Sequence, residues 1–372
     1  MLKFLVFLLV ILTATSLSLE KFARMWQAEP VASSAKAQND IDLTQKLAKK
    51  SEIESIDIPS SFRLPNNTFP INYDLAIRTE IHRGDFNYNG TVRIRILVMA
   101  TSNTITLHCG PQLNIRNIKL ISSNGSFIQN TFSFIGSGFD FLIVVSEVQL
   151  NLNQEIIIEI EFSAVIRNDG VGIYRTMYAN ENGENVWLAS TLLQPNFGRH
   201  AFPCYGEIRY RATFHIQIQH HESYHAVSNI PIESIEAIGV GNGFFRTYFE
   251  TTPPMPVHLV SFAITDFTFI SNTEIVGETD FRMRVYARPE IVHQALQALK
   301  LGQMMLYTME NLFEIRFPLA KADQILIPGS WSTVEGWGLI TLPERIALPA
   351  NNDSRNLELQ IAHEFAVETF RL

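Results

Sequence analysis

The sequence predicts an α+β fold: an antiparallel β-rich N-terminal domain over residues 62–269, then a smaller α/β lobe over residues 270–372. Three observations lead there. Apolar and polar residues alternate in Tyr73–Arg78, Thr91–Val98 and Glu155–Phe162, the pattern of strands with one wetted face. Turn clusters such as Ser122-Ser123-Asn124-Gly125 and Asn180-Glu181-Asn182-Gly183 separate such runs at short spacing, which favours hairpins over parallel crossovers. After Pro289 the apolar residues change to helical spacing.

Composition admits such a fold. The chain has 372 residues, 46% hydrophobic and 18% charged, enough for a sizeable core, which excludes disorder of the whole. A formal net charge of -8, with no basic run beyond Lys46, Lys49 and Lys50, offers no footprint for a polyanion, so nucleic acid is not an expected partner.

Taken in order, Lys3 precedes an apolar run from Phe4 to Leu12 and then small or polar residues as far as Ser18, the layout of a signal peptide over residues 1–19. A retained membrane anchor is the alternative. A span needs about 20 apolar residues, however, and the uncharged stretch 4–19 is shorter and carries Thr13, Thr15, Ser16 and Ser18. No apolar tail follows Glu368, so a lipid-anchor signal is not expected either. The expected product is secreted, soluble and extracellular. Residues 20–61 are rich in Ala, Ser, Lys, Glu and Gln and read as a flexible leader. Sequons at Asn66, Asn89, Asn124 and Asn352 fit passage through the secretory pathway. Cys109 and Cys204 make no disulfide framework, and spacing leaves open whether they pair.

Beyond residue 269, Pro289 suits a first helical turn, and Val292, Ala295, Leu296, Leu299, Met305, Leu306 and Met309 supply one apolar face. A second helix is expected after Asp353 or Ser354, either of which can cap it, with Leu357, Ile361 and Phe365 spaced four apart. That helix carries His363-Glu364-Phe365-Ala366-Val367. Its first two residues begin the His-Glu-x-x-His pattern, in which two imidazoles one turn apart bind zinc while the Glu activates water. The fifth position here is Val367.

Several segments, in order, resemble the M1 family of zinc aminopeptidases. Phe62-Arg63-Leu64-Pro65 and Phe69–Leu75 are similar to the start of the family's β domain. Thr191–Pro195, then Arg199-His200-Ala201-Phe202-Pro203-Cys204-Tyr205-Gly206-Glu207 with Ala212-Thr213-Phe214, are similar to its AFPCFDEP region. Phe313–Asp323 resembles the approach to the catalytic site, Glu335–Thr341 the end of the GAMENWGLIT motif, and Ile361-Ala362-His363-Glu364 the zinc helix. The resemblance runs from about residue 62 to the end of the sequence. It implies a fold of the M1 aminopeptidase N-terminal domain type followed by an incomplete thermolysin-like lobe, and relation to enzymes that remove N-terminal amino acids from peptides with zinc as cofactor. Peptides with a free N-terminus are the implied partners. Glu335 is implied to bind the α-amino group, a charge-assisted pair only an N-terminal residue can make. Glu364 stands at the general base and His363 at a zinc ligand.

The departures matter as much. Ser332-Thr333-Val334 and Gly336 replace Gly-Ala-Met and Asn around Glu335, which is expected to crowd the strip a peptide backbone approaches. Leu192 stands where the family has a Gln that shapes the first substrate pocket, and Gly206 where it has an Asp. Zinc catalysis needs three protein ligands and an open position. Val367 has no donor atom, and the family's third ligand would fall beyond Leu372, as would its oxyanion-stabilising Tyr and helical C-terminal domain. Glu368 cannot replace the second His, since five residues turn it about 140° from His363. The expectation is a pseudoenzyme that does not hold zinc stably, with Glu364 a vestigial base and His363 the single remaining ligand. Phe365, Phe370 and Leu372 would then seek cover, which invites a protein partner for the truncated lobe. The alternatives are a partial product of an active zinc aminopeptidase and a non-enzymatic β-sandwich binding module.

Overall fold

The computed structural model describes residues 61–136, 138–239, 241–272, 282–347 and 354–369. The expected signal peptide, the leader up to residue 60, Asn352, Phe370 and Leu372 lie outside the described residues.

Alternation builds the principal sheet. Its eight strands run in the order β13 (Ile232–Ile238), β14 (Phe244–Phe249), β11 (Thr213–His221), β1 (Thr68–Thr79), β2 (Asn87–Val98), β8 (Glu155–Val165), β4 (Asn114–Ser122) and β5 (Phe127–Ile128). Ile94 and Ile96 on β2 face Ile158 and Ile156 on β8, and all four are fully buried. On the other face Arg93 opposes Glu159 at 3.4 Å. Burying each such aliphatic side chain is worth about 1.5–3 kcal/mol, so the period-two pattern fixes which face is core and hence the register. The sheet is not wholly antiparallel as expected: β1 and β11 pair in parallel, from Asn72 against Thr213 to Arg78 against Gln219.

Two smaller sheets complete the β-rich region. One has the order β3 (Ser102–His108), β7 (Phe141–Leu150), β6 (Asn130–Ile135). The other has the order β12 (His225–Ser228), β15 (Phe262–Thr265), β10 (Asn185–Leu192), β9 (Gly172–Ala179). Ala201, Phe202, Cys204 and Tyr205 thread the core fully buried, and the Tyr205 hydroxyl donates to Thr68 Oγ1 at 2.8 Å. Glu207 at the end of this segment accepts from the Leu64 amide at 2.6 Å and pairs with Arg209 at 3.0 Å. Its role is to tie down the start of the domain.

The lobe is a five-stranded sheet of order β16 (Thr268–Asn272), β17 (Met283–Ala287), β18 (Asp323–Ile327), β20 (Leu339–Pro343) and β19 (Val334–Gly336). Its parallel strands β18 and β20 are buried at every residue, which is why they read as continuous apolar runs with no alternation. The sheet opens at Thr268. Helices α1 (Leu296–Phe313), α2 (Glu344–Ala347) and α3 (Ser354–Thr369) accompany it, with α1 packed on α3. The apolar face of α1 differs from the one expected. Leu296 is exposed, while Ala298, Leu299, Leu301, Gly302 and Leu306 face inward. Leu296 lies beyond the edge of that face, because at 100° per residue it stands about 120° from buried Gly302.

Candidate functional site

Strand β19 is the outer member of a hairpin with β20, pairing Val334 with Thr341, Glu335 with Ile340 and Gly336 with Leu339. Alternation sends Val334 into the core and leaves Glu335 half-buried on the other side. The crowding expected from Val334 is therefore absent. Trp337 and Gly338 close the hairpin. Gly338 adopts φ 82°, and a Cβ there would lie 2.2 Å from the Asn229 carbonyl oxygen, so glycine is demanded twice over. A Cβ on Gly336 would meet that of Ser261 at 2.2 Å. An asparagine at this position has no room.

On α3, Leu357, Ile361 and Phe365 form the buried stripe that their spacing predicts. Phe365 does not seek an outside partner: it is fully buried, with its ring against Gly302 of α1. One residue earlier, Glu364 shares that inward side and is 1% exposed, whereas His363 remains half-buried toward β19. His363 Nε2 lies 3.2 Å from Glu335 Oε1. One ligand atom from each of Glu335, His363 and Glu364 falls within 4.8 Å of the others.

This donor set does not fit a catalytic zinc of the His-Glu-x-x-His type. That centre takes two imidazoles from one helix face, four residues apart and about 40° offset. Val367, half-buried at that place, presents only methyl groups, and the His363 Nε2 faces Glu335. One imidazole and two carboxylates remain.

Two side chains that sequence reasoning missed hold the Glu335 strip from the β-rich region. Gln194 Nε2 donates to the Glu335 carbonyl at 2.9 Å. Asn229, 1% exposed, donates to the Trp337 and Leu259 carbonyls at 2.8 Å each and accepts from the Ser261 amide at 2.9 Å. Gln194 lies in the motif-like Thr191–Pro195 segment and Asn229 in none, but neither contact with the strip was legible, since each joins residues more than a hundred positions apart. Leu192, by contrast, is half-buried at the end of β10, and the Gly206 amide donates to His108 Nδ1 at 3.2 Å. Cys109 and Cys204 are free buried thiols, and burial pushes the Cys204 thiol up to about 12. Asn66, Asn89 and Asn124 are all exposed.

Among the described residues no helix is long and apolar enough to cross a membrane. Residues 69–259 match the family described as the peptidase M1 N-terminal domain. Over 83% of its length the chain is 30% identical to human (Homo sapiens) glutamyl aminopeptidase, of which the match covers 32%. It is likewise 30% identical to glutamyl aminopeptidase of Bitis rhinoceros and 31% identical to bovine (Bos taurus) endoplasmic reticulum aminopeptidase 2, each with 83% of the chain and 32% of the relative covered. The chain thus spans about a third of the length of the curated relatives it matches.

Proposed function

The chain belongs to the peptidase M1 family, and from that premise we propose that it is a secreted, non-hydrolytic relative of the zinc aminopeptidases that receives the free N-terminus of a peptide at Glu335. The observation that carries this reading is Val367, an apolar side chain where the second imidazole of the zinc helix would stand. Without that ligand no zinc is retained to acidify a water, and Glu364 has only ordinary water to activate. Recognition does not depend on the metal. The Glu335 carboxylate is 20% exposed and already engages a nitrogen donor, His363 Nε2, which an incoming ammonium would displace. The reading that this is part of an active zinc aminopeptidase finds support in the share of its relatives that the chain spans. It is disfavoured because residues added elsewhere leave Val367 in place. Export is supported by the composition of residues 1–19 and by the exposure of Asn66, Asn89 and Asn124.

Calorimetric titration of the full chain with Ala-Ala-Leu and its N-acetylated form tests the proposal. A charge-assisted hydrogen bond is worth about 1.5–3 kcal/mol, so acetylation or Glu335→Gln should weaken binding about 10- to 100-fold. Zinc content after dialysis against a weak chelator should be far below one per chain, with no turnover of alanyl or leucyl anilides. Stoichiometric zinc, with turnover abolished by Glu364→Ala, would overturn the non-hydrolytic reading, and equal binding of both peptides would remove Glu335 from recognition.

A further inference from the structure

A cavity of about 440 Å³, lined by none of Glu335, His363 and Glu364, lies between β17 and the connection from β12 to β13. Strand alternation gives it a cationic wall. Met283, Val285 and Ala287 turn into the lobe core, so Arg282, Arg284 and Tyr286 turn to the cavity. The facing wall is largely apolar, formed by Ile230, Pro231, Ile232 and Phe249.

Counting charges across this space selects the ligand. Lys321 Nζ is 3.0 Å from Asp323 Oδ2 and donates to the Gly338 carbonyl at 2.8 Å, so those two charges cancel inside the wall. The other Asp323 oxygen accepts from the Arg284 amide at 3.1 Å. Arg284 lies over the Phe269 ring at 4.8 Å and donates one Nη1 hydrogen to the Tyr286 hydroxyl at 3.0 Å. Its Nε and Nη2 groups have no protein acceptor among the described residues. Arg282 is exposed, and its guanidinium likewise has no acceptor there. Among the described residues of the lining, Glu250 is the one remaining acid, exposed to solvent. Among the described lining residues, two guanidinium groups against one carboxylate leave a single positive charge beside an apolar wall, in a chain whose formal net charge is -8. A dianion would overcompensate it, whereas a planar carboxylate matches the fork of a guanidinium.

We propose that this cavity binds a small organic monoanion, an apolar carboxylate whose head is held by Arg282 and Arg284 and whose hydrocarbon part lies against Ile230 and Phe249. The site is independent of the Glu335 reading. The probes are 4-methylpentanoate, its neutral amide isostere and inorganic phosphate, titrated into the full chain. The carboxylate should bind saturably and the amide and phosphate about 10-fold more weakly or worse, the change expected for losing one charge-assisted pair. Arg282→Gln should weaken the carboxylate by a similar factor, and Glu250→Gln should tighten it. Both side chains are exposed, so neither variant endangers the fold as Arg284→Gln could. Equal binding of acid and amide, tighter binding of phosphate, no saturation, or an Arg282→Gln variant with unchanged affinity would each overturn the assignment.

Discussion

Substituting Val367→His restores an imidazole one turn beyond His363. Four residues advance about 400° and 6 Å along a helix, which brings both rings to one face at the separation where two imidazoles grasp a single ion. Glu335 and Glu364 stand close by, since one ligand atom of each lies within 4.8 Å of the other and of a His363 ring nitrogen. Removing a partner that only hydrogen-bonds to a metal ligand costs about 10- to 100-fold in metal affinity. Adding a direct ligand should therefore raise zinc affinity by at least ~100-fold. The cost to the fold is small: Val367 is only half-buried, and His and Val have near-equal helix propensity, so a loss of about 1 kcal/mol is expected from apolar burial. Competition with a chromogenic chelator, wild type against variant at neutral pH, measures the change, with Val367→Ala as the control for lost packing. Circular dichroism confirms that the helix persists. If the folded variant holds zinc no better than wild type, Val367 is not what denies the metal a site, and the reasoning fails.

Two further outcomes are expected. Burial holds the His108 imidazole down to about 3, and the Gly206 amide donates to its Nδ1. The unfolded chain takes up that proton near ~6.5, so it binds more protons between those limits: stability is full above about pH 6.5 and falls as pH drops toward 3, by about 2 kcal/mol at pH 5 from His108 alone. Urea midpoints at pH 5 and 7 should lie closer together in His108→Leu, with His225, which burial lowers to about 4, retaining part of the difference, and an unchanged pH dependence would refute the assignment. Expression in a secretory host should give a soluble glycoprotein in the medium whose mobility shifts on glycosidase treatment. Recovery only in the membrane pellet, with residues 1–19 attached, would show that segment to be an anchor.

The strands were legible because half-burial leaves a period in the sequence, as Ile94, Ile96, Ile156 and Ile158 show by all facing inward. Where burial is complete, as on β18 and β20, the period disappears and direction cannot be read. The parallel β1–β11 contact joins Asn72 to Thr213 with no local turn to announce it. Leu296 differs for another reason: it lies at the edge of the α1 face, about 120° from buried Gly302, where spacing alone does not separate core from rim. At the site the residue types were legible from motif order. Their meeting was not, since Glu335 and His363 sit on a strand and a helix 28 positions apart.

The departures around Glu335 take on a different meaning once the strip is seen in place. Gly336 reads in the sequence as the loss of a substrate-facing asparagine, yet the Ser261 Cβ fills the space that any side chain at 336 would need. Asn229 then bonds three backbone groups across the same contact, joining Ser261, Leu259 and Trp337. Gln194 fixes the Glu335 carbonyl from a third direction. Leaving such buried groups unmade costs about 1–3 kcal/mol each, so the strip is positioned by the β-rich region whether or not an ion occupies the helix opposite. A carboxylate located in this way owes its position to the β-rich region rather than to a metal. On the proposed reading, that separation of supports lets a valine stand at 367 while Glu335 keeps the position in which it would receive an amino terminus.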